Sequence, residues 1–275
     1  MGERGTLGRM NASTQHVRLG DMTATAFAAV ARKSPVILLP LGSHEDHGPH
    51  QPMGDYLLAD MMAERIAQRA TGQGVPAFVA PTLAFGVADY FGSSPGGLAL
   101  SPGAFRAVLQ DVLEGLLRHG LRTIIILNAH GGNVPVIHEV TLGLRHGRGV
   151  MIPSFYLWKI ARQLMEKRIG VAHGRFGHGA EPLLALNLAL RPDCVVTAES
   201  GAGEQARVLG LPVAGFGTLD FQGLAVEAPI EFGETPGAAI ATAWQERSAP
   251  LGDEIAEALV AAGAEFVAHF NAASG

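Results

Sequence analysis

Histidines and carboxylates are concentrated in one short stretch of the chain, GSHEDHGPHQPMGDY at residues 42–56. Imidazoles and carboxylates together are suitable ligands for Zn, Mn or Fe. Glu45 and His47 are two positions apart, so they project to the same side if extended geometry persists through the stretch. Asp55 could fold back as a third ligand or as a bridging carboxylate. The stretch alone indicates either a metal site or a His-rich solvated loop.

The remaining polar groups of this stretch have other expected roles. His50 lies between two prolines and is expected to brace the loop through a hydrogen bond behind the ligands. His44 and Asp46 are interleaved with the proposed ligands, so they should face elsewhere. A structural role is expected for His44, with a contact to the edge of a substrate as the alternative.

A second polar cluster, NAHGGN at residues 128–133, follows an apolar run. His130 can bind a metal ion, or it can be a structural histidine at a strand end. Asn128 and Asn133 can orient either loops or a substrate. Gly131 and Gly132 permit close backbone approach, and their amides are candidates for stabilising an oxyanion.

A third cluster, GHGAE at residues 177–181, lies at a predicted helix start. His178 and Glu181 are three positions apart, so both face one side of the first turn. Glu181 could equally compensate the helix dipole. Three such clusters in one chain favour a metal site over three unrelated polar loops.

The elements that must position these clusters alternate between short apolar runs and amphipathic stretches. That alternation predicts an α/β fold with a mostly parallel sheet. Because the carboxyl ends of parallel strands form the ligand crevice, the first two clusters should meet at one sheet edge. Strands are predicted at residues 35–42, 76–86, 122–132 and 149–158, and helices at 57–70, 101–120, 134–147, 180–190 and 235–270.

Composition excludes several classes of protein. The chain has 275 residues with 48% hydrophobic and 16% charged residues, enough for one well-packed domain over residues 21–275. Residues 1–20 are predicted to be a flexible tail. The net charge of -5 with dispersed basic residues argues against nucleic acid. No apolar run reaches the roughly 18 residues needed to cross a membrane.

The single cysteine, Cys194, cannot form an internal disulfide, which fits a reducing cytoplasm. It precedes a Val-Val pair that resembles a strand, so we expect it to be structural. Neither a serine hydrolase nor a dinucleotide-binding protein is supported. Ser43 is not in a G-x-S-x-G turn, and GHGAE is not G-x-G-x-x-G.

The blocks LPLGSHEDHGPHQPMGD, NAHGGN and GHGAE resemble, in order, the signature blocks of the creatininase family of metalloenzymes. The resemblance implies a three-layer α/β/α sandwich, a homo-oligomer that is commonly a hexamer, and one or two divalent ions (Zn, Mn or Fe). It implies cleavage of C–N bonds in cyclic amides, formamides or peptide-like substrates by metal-bound water. The implied catalytic residue is His178, and the implied metal ligands are Glu45, His47, Asp55, His130 and Glu181.

Several positions depart from the family pattern. The family aspartate usually lies one residue later than Asp55, which implies a one-residue deletion in the loop. The family's HAGE reads HGAE here, and its following E-T-S is replaced by residues 183–185. Creatininase proper has HYEN where this chain has HGGN, so this chain lacks one metal-binding glutamate. Creatinine itself is therefore not the expected substrate.

Three aromatic residues are candidates for the substrate pocket. Tyr90 lies in a Gly-rich stretch at residues 86–97 that is predicted to form a rim loop. Tyr156 and Trp158 could wall the pocket, although core packing is the stronger expectation for Trp158. A contrasting hypothesis is an accessory protein without catalysis, acting in peptide maturation or assembly. Retention of all five implied ligands favours the enzyme.

Overall fold

The computed structural model describes residues 16–88, 94–170, 176–196, 206–215, 217–231 and 242–274. A parallel sheet with helices on both faces occupies most of this chain, and a smaller antiparallel sheet follows it. The strands are β1 (Val36–Leu41), β2 (Ala77–Val79), β3 (Ile124–Asn128), β4 (Ser154–Tyr156), β5 (Arg207–Val208), β6 (Leu211–Gly215), β7 (Thr218–Phe221) and β8 (Leu224–Glu227). The α-helices are α1 (Ala24–Ala31), α2 (Asp55–Gly72), α3 (Pro102–Arg118), α4 (Val134–Arg148), α5 (Leu157–Ile169), α6 (Leu183–Leu190) and α7 (Thr242–Ser274).

The parallel sheet has the strand order β2-β1-β3-β4. β1 pairs with β2 on one side and with β3 on the other, and all pairs are parallel. Successive strands are therefore added on one side of β1 and then on the other, so the strand order reverses between β1 and β3. In open α/β sheets ligands bind beyond the carboxyl ends of strands at such a switch point.

Side chains of the central strands alternate between two hydrophobic cores. In β1, Val36 and Leu38 pack with α2, α5 and α7 on one face. Ile37, Leu39 and Leu41 pack with α3 and α4 on the other face. All residues of β1 are buried, as expected for a parallel strand covered by helices on both sides. The predicted three-layer α/β/α arrangement is confirmed.

The predicted helix beginning at Ser101 is also confirmed, together with its capping residues. The Ser101 side chain accepts a hydrogen bond from the Ala104 amide, and Pro102 occupies the first turn of α3. This combination satisfies an amide that would otherwise lack a partner at the helix start. A second predicted helix, at residues 134–147, corresponds to α4 and ends at Gly149 in the left-handed conformation.

Two predicted strands are too long. The strand predicted at residues 76–86 ends at Val79, one residue before Ala80 and the proline at position 81. The strand predicted at residues 149–158 is reduced to β4, and helix α5 begins directly after it. Trp158 therefore lies on a helix and packs against the core that includes α2 and α7. This supports the expected packing role and not a pocket wall.

The sequence pattern predicts no strand between residues 201 and 233, yet the described part of this segment contains four. Strands β5 to β8 form an antiparallel sheet over a small core of Val213, Leu219 and Ile230. Its strands have two to five residues, and each turn contains a glycine. Such short strands give little periodicity, so the sequence pattern did not indicate them.

Two smaller expectations also need correction. Residues 16–20 do not belong to a flexible tail, because Val17 is buried and its carbonyl accepts a hydrogen bond from Val79 in β2. Cys194 is exposed and lies in a 3-10 turn, Pro192–Cys194, instead of preceding a strand. Among the described residues, no helix is long and apolar enough to cross a membrane.

Candidate metal centre

The first two polar clusters meet at the carboxyl ends of β1 and β3, as predicted. Leu41 pairs with Asn128 where both strands end, and the two loops that contain the clusters begin at that point. Along the first loop Glu45 and His47 are buried, whereas His44 and Asp46 are partly exposed. The alternation expected from extended geometry therefore places Glu45 and His47 on the inner side of the loop.

The Glu45 carboxylate lies between two histidines from different loops. Its Oε1 atom is 3.3 Å from Nε2 of His47, and its Oε2 atom is 2.9 Å from Nδ1 of His130. All three side chains are almost completely buried. A carboxylate in this position can bridge two cationic groups or two metal ions.

Hydrogen bonds to backbone carbonyls fix which nitrogen of each histidine faces Glu45. Nδ1 of His47 lies 2.9 Å from the Pro52 carbonyl oxygen, and Nε2 of His130 lies 2.7 Å from the Val87 carbonyl oxygen. A carbonyl can only accept, so these nitrogens carry the hydrogen. The opposite nitrogen of each ring is thereby directed at the carboxylate. Metal-binding histidines are oriented by this kind of bond.

Asp55 completes the cluster from the first turn of α2. Its Oδ2 atom lies 4.0 Å from Nε2 of His47 and 3.8 Å from Nδ1 of His130. Its Oδ1 atom accepts a hydrogen bond from the Ser43 amide at 2.6 Å, and the Ser43 hydroxyl lies 3.1 Å from Oδ2. Asp55 therefore reaches the centre despite the shortened loop, whereas the neighbouring Tyr56 is partly exposed.

Burial and mutual charge shift the pKa values of this cluster. Burial alone would raise the pKa of Glu45, but contacts with His130 and His47 outweigh burial and hold that pKa below its ordinary value. Burial and the charge of Glu45 raise the pKa of Asp55 to about 7. Burial opposes protonation of His130, yet Glu45 and Asp55 raise its pKa to about 9. The negative charge of Glu45 thus favours the protonated forms of Asp55 and His130. A metal ion bound by these side chains would compete with those protons.

His178 approaches the same cluster from the third polar segment. Its ring centroid is 5.1 Å from that of His47. Its Nε2 atom donates to the Asp46 carbonyl, so Nδ1 carries the lone pair. Burial and the neighbouring His47 lower the pKa of His178 to about 4. The ring is therefore neutral near pH 7 and can accept a proton.

Two groups of side chains bring their donor atoms within 4.8 Å of one another in the described part of the chain. One group contains Glu45, Asp55 and His130, and the other contains Glu45, His47 and His178. Both groups consist of imidazole nitrogens and carboxylate oxygens, the donors that Zn, Mn and Fe accept. With the ring orientations described above, the residues present fit one or two divalent ions.

Glu181 is in neither of these groups. Its Oε2 atom accepts a hydrogen bond from the Ala185 amide in the first turn of α6 at 3.1 Å, and its Oε1 atom accepts one from the Ser248 hydroxyl of α7. The ligand role implied for Glu181 by the family resemblance therefore stays a prediction. The bond to the Ala185 amide agrees with the alternative expectation, in which the Glu181 carboxylate compensates the dipole at the start of a helix.

Asn128 and Asn133 hold the loops instead of facing a substrate. Both are completely buried. The Asn128 amide group bonds both backbone groups of His130, at 2.6 Å and 3.2 Å. The Asn133 side chain donates to the Gly42 carbonyl and accepts from the Val87 amide. Of the two roles considered for these asparagines, the structure supports loop orientation.

The two glycines after His130 have different environments. A Cβ atom on Gly132 would overlap the Val87 carbonyl oxygen, the same oxygen that orients His130. Gly132 is therefore required by packing. A Cβ atom on Gly131 would lie 3.1 Å from the Tyr156 hydroxyl, and Gly131 is exposed. The exposed backbone of Gly131 thus adjoins the tyrosine hydroxyl.

Tyr156 ends β4 next to these glycines and close to the acidic pair. Burial, followed by the charges of Asp55 and Glu45, raises the pKa of Tyr156 to about 12. Its hydroxyl therefore stays protonated and can donate a hydrogen bond. Tyr90, the other tyrosine predicted to contact a substrate, lies outside the described residues.

Sequence reasoning considered Ser43 only as a nucleophile and did not consider Gln51 at all. Ser43 instead bonds Asp55, and Gln51 bonds Gly179, 128 positions away in the chain. Neither residue belongs to a type that binds metals readily, so the pattern gave no signal for it. The predicted brace, His50, does bond the Gly179 carbonyl, with Nε2 at 2.8 Å.

The fold and the donor set define an α/β protein with a buried centre suited to divalent cations. A family model described as Creatininase, creatinine amidohydrolase, matches residues 20–267. The chain therefore belongs to the creatininase family, as the signature blocks indicated.

Individual relatives agree with this assignment. A creatinine amidohydrolase from Pseudomonas putida is 28% identical over 264 residues, covering 90% of this chain and 94% of the relative. A mycofactocin precursor peptide peptidase from Mycobacterium ulcerans is 30% identical over 132 residues, covering 46% of this chain and 52% of the relative. A solved structure of a mutant creatininase, described as Zn-Zn type, has a TM-score of 0.69 at 25% identity, covering 92% of this chain and 98% of that chain.

Proposed function

We propose that this protein is a metal-dependent hydrolase that cleaves an amide-type C–N bond in a small substrate. The observation that carries the proposal is the orientation of His47 and His130. Each ring donates one N–H group to a backbone carbonyl and directs its other nitrogen at Glu45. The zinc described for the related creatininase structure supports this donor set as a metal centre.

The buried side chains of the centre would hold one or two divalent ions. Glu45, Asp55 and His130 would hold one ion, and Glu45 and His47 would hold a second. A bound divalent ion would supply a Lewis acid that polarises a carbonyl group and lowers the pKa of bound water towards about 7. Zn, Mn and Fe all suit these ligands.

The other residues of the site would handle protons and orient the substrate. His178 is neutral and carries its lone pair on Nδ1, so it would accept a proton and return it to the amine that leaves. The Tyr156 hydroxyl would donate a hydrogen bond to a substrate oxygen. Amides in the turn Gly131–Asn133, which begins α4, would stabilise negative charge on that oxygen.

The substrate class follows from the chemistry of the site and from the names of relatives. One relative is named for creatinine, a cyclic amide, and another for a peptide. Creatininase proper has an additional metal-binding glutamate at the position that matches Gly132 in the family pattern, and Gly132 has no space for a side chain. We therefore propose a small amide other than creatinine, either cyclic, formylated or peptide-like.

The test combines metal analysis with a substrate panel. The protein would be purified anaerobically and its Zn, Mn and Fe content measured. Cyclic amides, formamides and short peptides would then be assayed with each metal. We expect at least one divalent ion per chain and hydrolysis of one amide class. His178→Ala should retain the metal and lose hydrolysis, while His130→Ala should lose the metal.

His44→Ala is the matched control, because His44 points to the Gly96 carbonyl and away from the donors. This variant should keep the metal content of the wild-type protein. Absence of tightly bound divalent ions from the wild-type protein would contradict the proposal. Full hydrolysis by His178→Ala would remove the assigned proton-transfer role. Metal binding by the wild-type protein without hydrolysis of any substrate in the panel would favour an accessory protein over an enzyme.

A further inference from the structure

The first polar loop encloses the dipeptide of His178 and Gly179. His178 donates to the Asp46 carbonyl, and Gly179 lies so close to the His47 carbonyl that a Cβ atom on Gly179 would overlap it. Gly179 has a φ of +68°, in the left-handed region that favours glycine. Because glycine has few restrictions on its backbone angles, contacts with neighbouring groups must fix the Gly179 conformation.

Two side chains of the loop hold the Gly179 carbonyl. His50 donates to it from Nε2 at 2.8 Å, and Gln51 donates to it from Nε2 at 2.5 Å. Both side chains are buried, at 2% and 7% exposure. The carbonyl next to His178 thus has two donors, and both come from the loop that contains Glu45 and His47.

Gln51 also bonds the helix that follows Gly179. Its Oε1 atom accepts a hydrogen bond from Nδ2 of Asn187 in α6 at 2.8 Å. Asn187 is 1% exposed, so water cannot readily replace this bond. Gln51 therefore links the loop that contains Glu45 and His47 to the Gly179 backbone and to α6. The Nε2 atom of His50 bonds the Gly179 carbonyl.

We propose that Gln51 is a positioning residue that holds the His178 ring against the His47 side of the metal centre by fixing the Gly179 carbonyl. The role of that centre rests on the proposed function. The bonds of Gln51 to Gly179 and Asn187 are contacts within the chain, so they can be tested separately from catalysis.

Two substitutions test this link, and both remove the bond from Gln51 to the Gly179 carbonyl. Gln51→Leu removes both hydrogen bonds at similar volume. Gln51→Glu keeps an acceptor for Asn187 but places a carboxylate oxygen against the Gly179 carbonyl. Both variants should therefore release His178. Leu116→Ala, in the core on the opposite face of the sheet, is a control for general destabilisation.

The probe is Co²⁺ alone, whose visible absorption reports the geometry of its surroundings, together with crystal structures of the variants. We expect both Gln51 variants to show an altered Co²⁺ spectrum and a His178 ring displaced from the Asp46 carbonyl. Leu116→Ala should melt at a lower temperature but keep the wild-type spectrum and ring position.

An unmoved His178 ring in Gln51→Leu would overturn the inference, as would the same spectral change in Leu116→Ala. If the wild-type protein binds no Co²⁺, the proposed function fails instead. The inference is then decided by the ring position in the metal-free crystals. The two failures are therefore distinguishable.

Discussion

At the residue scale, the centre depends on groups that fix its donors without binding an ion themselves. The Val87 and Pro52 carbonyls orient His130 and His47, and Ser43 binds both oxygens of Asp55. Because a buried carboxylate near another carboxylate favours the protonated form, these bonds matter for keeping Asp55 able to bind a cation.

Ser43→Ala should weaken metal binding without abolishing it. The substitution removes the hydroxyl contact with Oδ2 of Asp55 and leaves the backbone bond to Oδ1. Loss of a group that supports a ligand typically lowers metal affinity by about 10–100-fold, and we expect the lower end of that range. Competition titration with a chromogenic zinc chelator measures the change. Ser101→Ala, at the start of α3, should leave zinc affinity unchanged.

The sequence predicts the candidate metal ligands better than it predicts the residues that hold those ligands in place. Glu45, His47 and Asp55 were recognisable because metal-ligating types are dense in one loop, and His130 because it follows a strand. Glu181 is also a carboxylate, at helical spacing from His178, yet it accepts hydrogen bonds from Ala185 and Ser248. Ser248 is 67 positions away, so no local pattern could reveal that bond.

At the element scale, α7 supports the third polar segment through close packing on α6. A Cβ atom on Gly252 of α7 would overlap the Ala185 carbonyl of α6. One turn earlier, Ser248 bonds Glu181, which lies two residues before the start of α6. The position of α6 relative to the sheet therefore depends on a helix at the far end of the chain.

Gly252→Ala should separate these two helices. The added methyl group forces α7 away from α6, and overpacking of this kind typically costs about 1–3 kcal/mol of unfolding free energy. Chemical denaturation measures that cost. Gly103→Ala, at a position with nothing near its Cβ, is the control and should cost less. Equal stability of Gly252→Ala and the wild-type protein would show that the two helices do not pack this closely.

The N-terminal segment is held to α2 by an ion pair. Arg18 donates to both oxygens of Asp60, at 2.9 Å and 2.7 Å, and to Glu64 at 2.7 Å. Burial would raise the pKa of Asp60, but Arg18 and Thr82 outweigh burial and lower that pKa. The ionised form of Asp60 is thus stabilised by folding.

Arg18→Ala should lower the unfolding free energy by about 1 kcal/mol near pH 7. Because the pKa of Asp60 is lowered in the folded state, this contribution is complete above the unfolded value of about 3.9 and is lost as the pH falls through the folded pKa. Denaturation at several pH values should show the difference between wild type and variant shrinking in acid. A difference that grows in acid would contradict this account.

At the scale of the whole molecule, the parallel sheet and its two helical layers followed from the alternation of apolar and amphipathic segments. The antiparallel sheet did not, because strands of two to five residues rely on contacts with one another for burial. That sheet also exposes Leu209, Leu224 and Val226. The homo-oligomer implied by the family resemblance stays a prediction.

Metal loading should stabilise the entire fold. Glu45 and His47 lie in the loop between β1 and α2, Asp55 begins α2, and His130 follows β3, so unfolding of any of these segments would release the ion. At a free ion concentration of about 100 times the dissociation constant, binding adds about 2.7 kcal/mol. This corresponds to a melting temperature higher by roughly 5–10 °C. Calorimetry with zinc and then with excess chelator measures it, and identical melting curves would contradict metal binding.

The contacts of α7 with Glu181 and Ala185 also have a consequence for biosynthesis. Translation delivers the chain from its N-terminus, so α7 emerges after the other helices of the described residues. Glu45, Asp55 and His130 leave the ribosome long before Ser248 and Gly252 do. A nascent chain can thus assemble the first group of donors while the His178 segment still lacks its support from α7, so the two groups of donors can form at different stages of synthesis.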